Sequence, residues 1–147
     1  MAELLKGAPL FRNNPDGPAQ AATSDQLNKK VVCLFFGAKE AGKELNDKLK
    51  AFYDKTASQG FEVVYVSHDN NESEMKEFLK THPKWLFIKY GDHRAISLLQ
   101  RYQLKAIPSL ILVQRGGTPL VGDALNDIYY NKDPHTLFDK WRKATTE

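Results

Sequence analysis

The sequence predicts an α/β protein with a central mixed β-sheet and helices on both faces. Two apolar runs carry that expectation, "VVCLFF" at residues 31–36 and "FEVVYVS" at residues 61–67. Both are rich in β-branched and aromatic residues, and an apolar run without strict alternation suits a strand covered on both sides. The third observation is order: helical spacing follows each run, and the chain closes with a hairpin and a helix.

A short N-terminal element around Pro9–Arg12 leads into "NNPDGPAQAATSDQ", residues 13–26, whose Pro, Gly, Asn and Ser content reads as a loop. Residues 4–30 thus form an extension and loop before a core at 31–143, all within a single domain over 1–147. From Lys39 to Ser58 the apolar residues Leu45, Leu49, Phe52 and Tyr53 share one helical face, and Gly60 supplies a stop. After the second strand, Asn71 with Glu74 has capping-box spacing, and Met75, Phe78 and Leu79 form the buried stripe of the helix that follows.

"WLFIKY", residues 85–90, reads as a short apolar link into a helix over 94–102 with Ile96, Leu99 and Tyr102 turned inward. "AIPSLILV", residues 106–113, is a third strand with its proline near the start, where proline is tolerated. "RGGTP" supplies a turn, and Leu120 and Val121 a short pairing strand. A last helix has Asp133 as cap, Pro134 at its first position, and Leu137, Phe138 and Trp141 on its inner face. The predicted order is β, α, β, α, α, β, β, α.

At 147 residues with 41% hydrophobic and 27% charged side chains, the chain can bury a substantial core without disulfides. Its apolar runs fall well short of the roughly 20 residues that span a bilayer, and the N-terminus lacks a signal-peptide pattern. A soluble protein of the cytoplasm, extending to the nucleus, is therefore expected, with no membrane partner. The net charge of +3 comes from lysines and arginines interleaved with acids, which argues against a nucleic-acid track. Cys33 is the only cysteine, so an intrachain disulfide and a multi-thiolate metal site are excluded. Within an apolar strand it is expected to act as a small hydrophobe.

The segment between the first strand and first helix admits three readings. "GAKEAGK" fits GxxxxGK, with Gly37, Gly42 and Lys43 in register. A phosphate loop needs backbone N–H groups around the phosphates, a lysine on the outer phosphates and a Ser or Thr hydroxyl on magnesium. Here Glu44 takes the hydroxyl's place, repelling phosphate and removing a metal ligand, so this is the minor alternative. A second reading depends on the surrounding chain. In a third, the loop is a glycine-assisted turn, with Gly37 at positive φ and Glu40 favouring the helix macrodipole.

"VVCLFFGA", "LKAFYDK", "FEVVYVSHDNNESEM", "KWLFI" and "AIPSLILV", in this order and spacing, resemble the thioredoxin-like domains of the nucleoredoxin and tryparedoxin group, most of all the nucleoredoxin-like proteins of the rod-derived cone viability factor type. The resemblance runs from about Leu4 to about Trp141. It implies a thioredoxin-like fold, a Cys-x-x-Cys pair opening the first long helix, and a cis proline at Ala106-Ile107-Pro108 facing that pair. Counted back from Phe52 and Tyr53, the cysteine positions fall on Lys39 and Gly42; counted forward from "LFFGA", on Ala41 and Glu44. Neither register, over Lys39, Glu40, Ala41, Gly42, Lys43 and Glu44, contains a cysteine.

Dithiol exchange needs one thiolate to attack and a second to resolve the mixed disulfide. The expectation is a degenerate active site with no catalytic residue and no cofactor. The resemblance then implies that a protein or peptide partner pairs with the backbone at Ala106, Ile107 and Pro108, so that a binding or regulatory role within redox homeostasis is expected. The alternative is residual protein-disulfide reductase activity through Cys33 or an external thiol. "HDNNESE", from His68, matches neither an EF-hand nor a zinc pattern and reads as a capped helix start at the surface, so no metal site is predicted. His82, His93 and His135 are assigned to the surface, and Trp85 and Trp141 to the core.

Overall fold

In the computed structural model, which describes residues 5–39, 43–114, 117–130 and 133–145, the two apolar runs become adjacent parallel strands. We label the strands β1 (Leu10–Arg12), β2 (Gln20–Ala22), β3 (Val31–Gly37), β4 (Phe61–Ser67), β5 (Leu86–Ile88), β6 (Ser109–Val113) and β7 (Pro119–Val121). They form one sheet in the order β2-β1-β5-β4-β3-β6-β7. β3, β4 and β5 are parallel, while β6 runs antiparallel to β3 and β1 antiparallel to β5, so the sheet is mixed as expected.

The helices are α1 (Lys43–Thr56), α2 (Glu72–Lys80), α3 (Arg94–Arg101), α4 (Ala124–Tyr130) and α5 (Pro134–Thr145). Side chains alternate across the strands and divide the core into two layers. Cys33, Phe35, Val63, Tyr65 and Leu112 pack with the buried faces of α1, α2, α4 and α5. Leu34, Phe36, Val64, Val66 and Ile111 pack with Leu98 of α3 and with Leu5, Leu10 and Leu27 from the N-terminal segment.

Several expectations hold in detail. Gly60 adopts φ 102°, a left-handed stop that a residue with Cβ enters reluctantly. Asn71 Oδ1 accepts from Glu74 N at 2.9 Å, and the Glu74 carboxylate accepts from Asn70 N at 3.2 Å, one residue before the cap. At α5, Asp133 accepts from His135 N and from the Thr136 hydroxyl. Trp85 and Trp141 are fully buried in the aromatic layer around Phe35, Phe52 and Phe61.

Others are corrected. The segment read as a loop over 13–26 contains β2 and a short 3₁₀ turn at Ser24–Leu27, and the "link" at 85–90 contains strand β5. The described part of α1 begins at Lys43, later than Lys39, and Glu40, Ala41 and Gly42 lie outside the described residues. In α3 Leu99 and Tyr102 pack against the core as expected and Leu98 is the buried residue, but Ile96 is 55% exposed. α4 has no counterpart in the sequence reading; its Ala124, Leu125 and Ile128 bury one face of a seven-residue helix.

His82 is also corrected: it is 9% exposed, stacked on Phe78 at 3.8 Å, with Nδ1 bonded to the Phe78 carbonyl. Burial holds its pKa below the ordinary 6.5, and burial does the same to His68. Between those lowered values and 6.5 the unfolded chain binds more protons than the folded one, so stability falls as pH drops below 6.5. Urea midpoints measured from pH 7.5 to 5 are expected to decline, and the decline to flatten in His82→Gln. An unchanged slope in that variant would show that His82 does not contribute.

Candidate functional site

The parallel strands β3 and β4 end together at Gly37 and Ser67, and β6 starts at Ser109, level with Phe36. One step further along that register brings Pro108 opposite Gly37. Three connections therefore meet at the carboxyl edge of the parallel strands, where open α/β sheets place their ligand sites: Gly37–Lys39, His68–Asp69 and Ala106–Pro108. The Ile107–Pro108 peptide is cis.

Asp69 organises this edge. It is buried, and its carboxylate accepts from Tyr65 Oη (2.9 Å), from Ser67 Oγ (2.6 Å) and from the backbone N–H of Lys39 (2.6 Å). Its own carbonyl accepts from Tyr90 Oη at 2.9 Å. Burial, and then the neighbouring Asp69 charge, push the Tyr65 phenol far up, so it remains a neutral donor. The chain entering the degenerate loop is thus tied at its backbone to β4, while the Lys39 ammonium pairs with Glu77 on α2.

The sequence reading placed Asp69 in a surface helix start; in the structure it is a buried anchor of the loop. A signal was present, since Tyr65, Ser67 and Asp69 are two residues apart and extended backbone aims such side chains to one side. His68 points to the opposite layer. Its ring lies against Phe36, its Nε2 is buried without a hydrogen-bond partner among the described residues, and burial lowers its pKa.

Gly37 has a different role from the one expected of it. It is the last residue of β3 and does not adopt positive φ. A Cβ built there would approach Phe35 Cζ to 3.1 Å and Tyr65 Cε1 to 3.3 Å, so the glycine admits the two rings beneath it. Its carbonyl accepts from His68 N within the β3–β4 ladder, which commits this backbone to the sheet, away from a phosphate cradle. Lys43 is the first described residue of α1, and the Glu44 carboxylate accepts from Tyr129 Oη at 2.9 Å.

A family model described as thioredoxin-like matches residues 28–118. The mouse (Mus musculus) nucleoredoxin-like protein 1 is 31% identical over 98% of this chain and 71% of its own length. The chain is a nucleoredoxin-like member of the thioredoxin-like family. Its fold matches tryparedoxin from Trypanosoma brucei with a TM-score of 0.77 at 26% identity, over 95% of this chain and 96% of that one. Thioredoxin from Wuchereria bancrofti matches with a TM-score of 0.74 at 28% identity, over 93% and 95% of the two chains.

This nucleoredoxin-like chain lacks the Cys-x-x-Cys pair, because Cys33 is its only cysteine. That thiol lies in the middle of β3, fully buried in the layer beneath α1, and burial raises its pKa well above the ordinary value. Thiolate formation is therefore disfavoured where it would have to occur. Ala106 is exposed, and Ile107 and Pro108 are half-buried. The Ser109 hydroxyl closes a turn onto the Ala106 carbonyl, and among the described residues neither main-chain polar group of Ile107 makes a hydrogen bond. Among the described residues no group of three or more His, Cys, Asp or Glu is placed to hold a metal ion, and no helix is long and apolar enough to cross a membrane.

Proposed function

We propose that this protein is a non-catalytic binding or regulatory member of the nucleoredoxin-like proteins, which holds an extended segment of a protein partner against Ala106, Ile107 and Pro108. The observation that carries the proposal is the fate of the thiol chemistry: the one sulfur is buried in a central strand, and the loop at the helix entrance has none. Support for binding comes from the uncommitted N–H and C=O of Ile107, since main-chain pairing to an extended peptide requires a free donor and acceptor and no thiol. Asp69 contributes by fixing the opposite wall through Lys39 N.

Insulin reduction with dithiothreitol, or with thioredoxin reductase and its nicotinamide cofactor, tests the catalytic half. Turnover no faster than the reductant alone is expected, and a thioredoxin-like rate would refute the reading. Native alkylation of Cys33 is expected to be slow until denaturant is added, whereas rapid labelling would revive the reductase alternative. For the binding half, Pro108→Thr is expected to lose partners that the wild type captures. Identical partner sets would show that the edge beside Pro108 is not the binding surface.

A further inference from the structure

The β1–β2 connection carries reactive chemistry that the degenerate loop does not use. Asn14, Pro15, Asp16 and Gly17 form a β-turn in which Gly17 N donates to the Asn14 carbonyl at 3.2 Å, while the Asn14 side-chain oxygen accepts from Asp16 N at 3.2 Å. Proline at the second position and glycine at the fourth suit such a turn. Asp16 and Gly17 are exposed, and among the described residues the Asp16 carboxylate has no hydrogen bond or ion pair. This is the one place in the chain where an aspartate or asparagine precedes a glycine.

That order matters because a main-chain nitrogen can attack the side-chain carboxyl of the residue before it, and a side chain on the attacking residue hinders the approach. Gly17 has no such shield. Even a Cβ built on it would meet only Asn14 Nδ2, at 3.3 Å. What holds the nitrogen back is its single exposed hydrogen bond, with a long contact from Asn14 Nδ2 to the Pro18 carbonyl at 3.5 Å outside it. The anchors of the segment lie beyond the turn. On one side the buried Asn13 amide donates to the carbonyls of Leu79, His82 and Pro83, and on the other β2 begins at Gln20. The turn therefore opens locally while both ends stay fixed.

We propose that Asp16 is a site of aspartate isomerisation in the folded protein, and that the isomer is a substrate for a carboxyl methyltransferase that uses S-adenosylmethionine. Gly17 N attacks Asp16 Cγ; a C–N bond replaces a C–O bond, and the amide proton leaves with the carboxyl hydroxyl as water, closing a succinimide. Water reopens the ring. Addition at the α-carbonyl leaves the main chain running through Cβ and Cγ, with the α-carboxylate as the new side group. No electrons are exchanged, and the net charge is unchanged. The methyltransferase moves a methyl group from the sulfonium to that carboxylate, and attack by Gly17 N on the ester releases methanol and re-forms the succinimide.

The test ages the full chain at physiological temperature and neutral pH, then measures methyl transfer from labelled S-adenosylmethionine by an isoaspartyl methyltransferase. Methyl acceptance is expected to rise with age without a change in protein mass, and electron-transfer fragmentation to place it at Asp16. The rate is expected to be about fivefold below that of the free peptide of residues 13–20, the effect of one exposed hydrogen bond. Asp16→Glu, which would need a larger ring, and Gly17→Val, which shields the nitrogen, are each expected to lose acceptance and to keep the wild-type urea midpoint. The valine is tolerated because φ at Gly17 is not positive. Acceptance retained by either variant, or appearing only after unfolding in urea, would overturn the proposal. So would a native rate more than about a hundredfold below the peptide, since one exposed hydrogen bond cannot account for it. These outcomes do not depend on the edge at Pro108.

Discussion

Asp69→Ala is expected to lower the free energy of unfolding by about 3–5 kcal/mol, the cost of leaving several buried donors without their acceptor. Tyr65 Oη, Ser67 Oγ and Lys39 N all lose their carboxylate, and the first two lie where water enters with difficulty. Asp69→Asn is expected to cost about 1–2 kcal/mol, because an amide keeps one acceptor oxygen and the two hydroxyls can rotate to accept from its N–H groups. Urea denaturation of the three proteins gives the ranking, and a change below 1 kcal/mol for the alanine variant would refute the anchoring role. Amide exchange at Lys39 should accelerate in parallel, since this hydrogen bond is the tie between the loop and β4.

The second large effect is expected at the opposite edge of the sheet. Glu62 sits in β4 at 2% exposure, and its carboxylate meets Arg12 Nη1 at 2.9 Å and Lys30 Nζ at 3.3 Å. Arg12 also donates to the Lys84 carbonyl and to Gln26, so it clamps β1, the turn before β3 and the segment before β5 around one buried charge. Arg12→Ala leaves that charge with the half-exposed lysine as its remaining ion-pair partner and is expected to cost about 3 kcal/mol. Glu62→Leu should cost less, because the arginine left behind reaches solvent whereas the carboxylate does not. Thermal or urea unfolding that reversed this order would refute the account. The neighbouring Tyr53 phenol is pushed up to about 12, by burial first and the Glu62 charge second, so it adds no charge to the cluster.

Most of the architecture was legible because the strands that define it are predominantly apolar along their length. Val31–Gly37 and Phe61–Ser67 need no partner to be recognised, and Asn71, Gly60 and Asp133 mark helix ends through chemistry contained in a few adjacent residues. β2 and β5 are different: Gln20–Ala22 and Leu86–Ile88 are three residues each, too short for a period, and they become strands by pairing with β1 on either side. α4 was missed for a similar reason, since its seven residues give only about two turns of apolar spacing. The degenerate loop was legible as an absence of cysteine. Its support was not, because Asp69 and Lys39 are thirty residues apart and only the parallel pairing of β3 with β4 brings them together.

Cys33 has one further consequence, and it is kinetic. A thiol in the central strand of the sheet, buried in the core layer beneath α1, meets solvent only when that layer opens. Its labelling rate, divided by that of a free thiol, therefore gives the fraction of molecules in the open state when reclosing outpaces reaction. The chain carries a built-in gauge of its own opening equilibrium, readable without denaturant and in a mixture. A ligand that binds the folded state alone would register on it as a slowing of that clock.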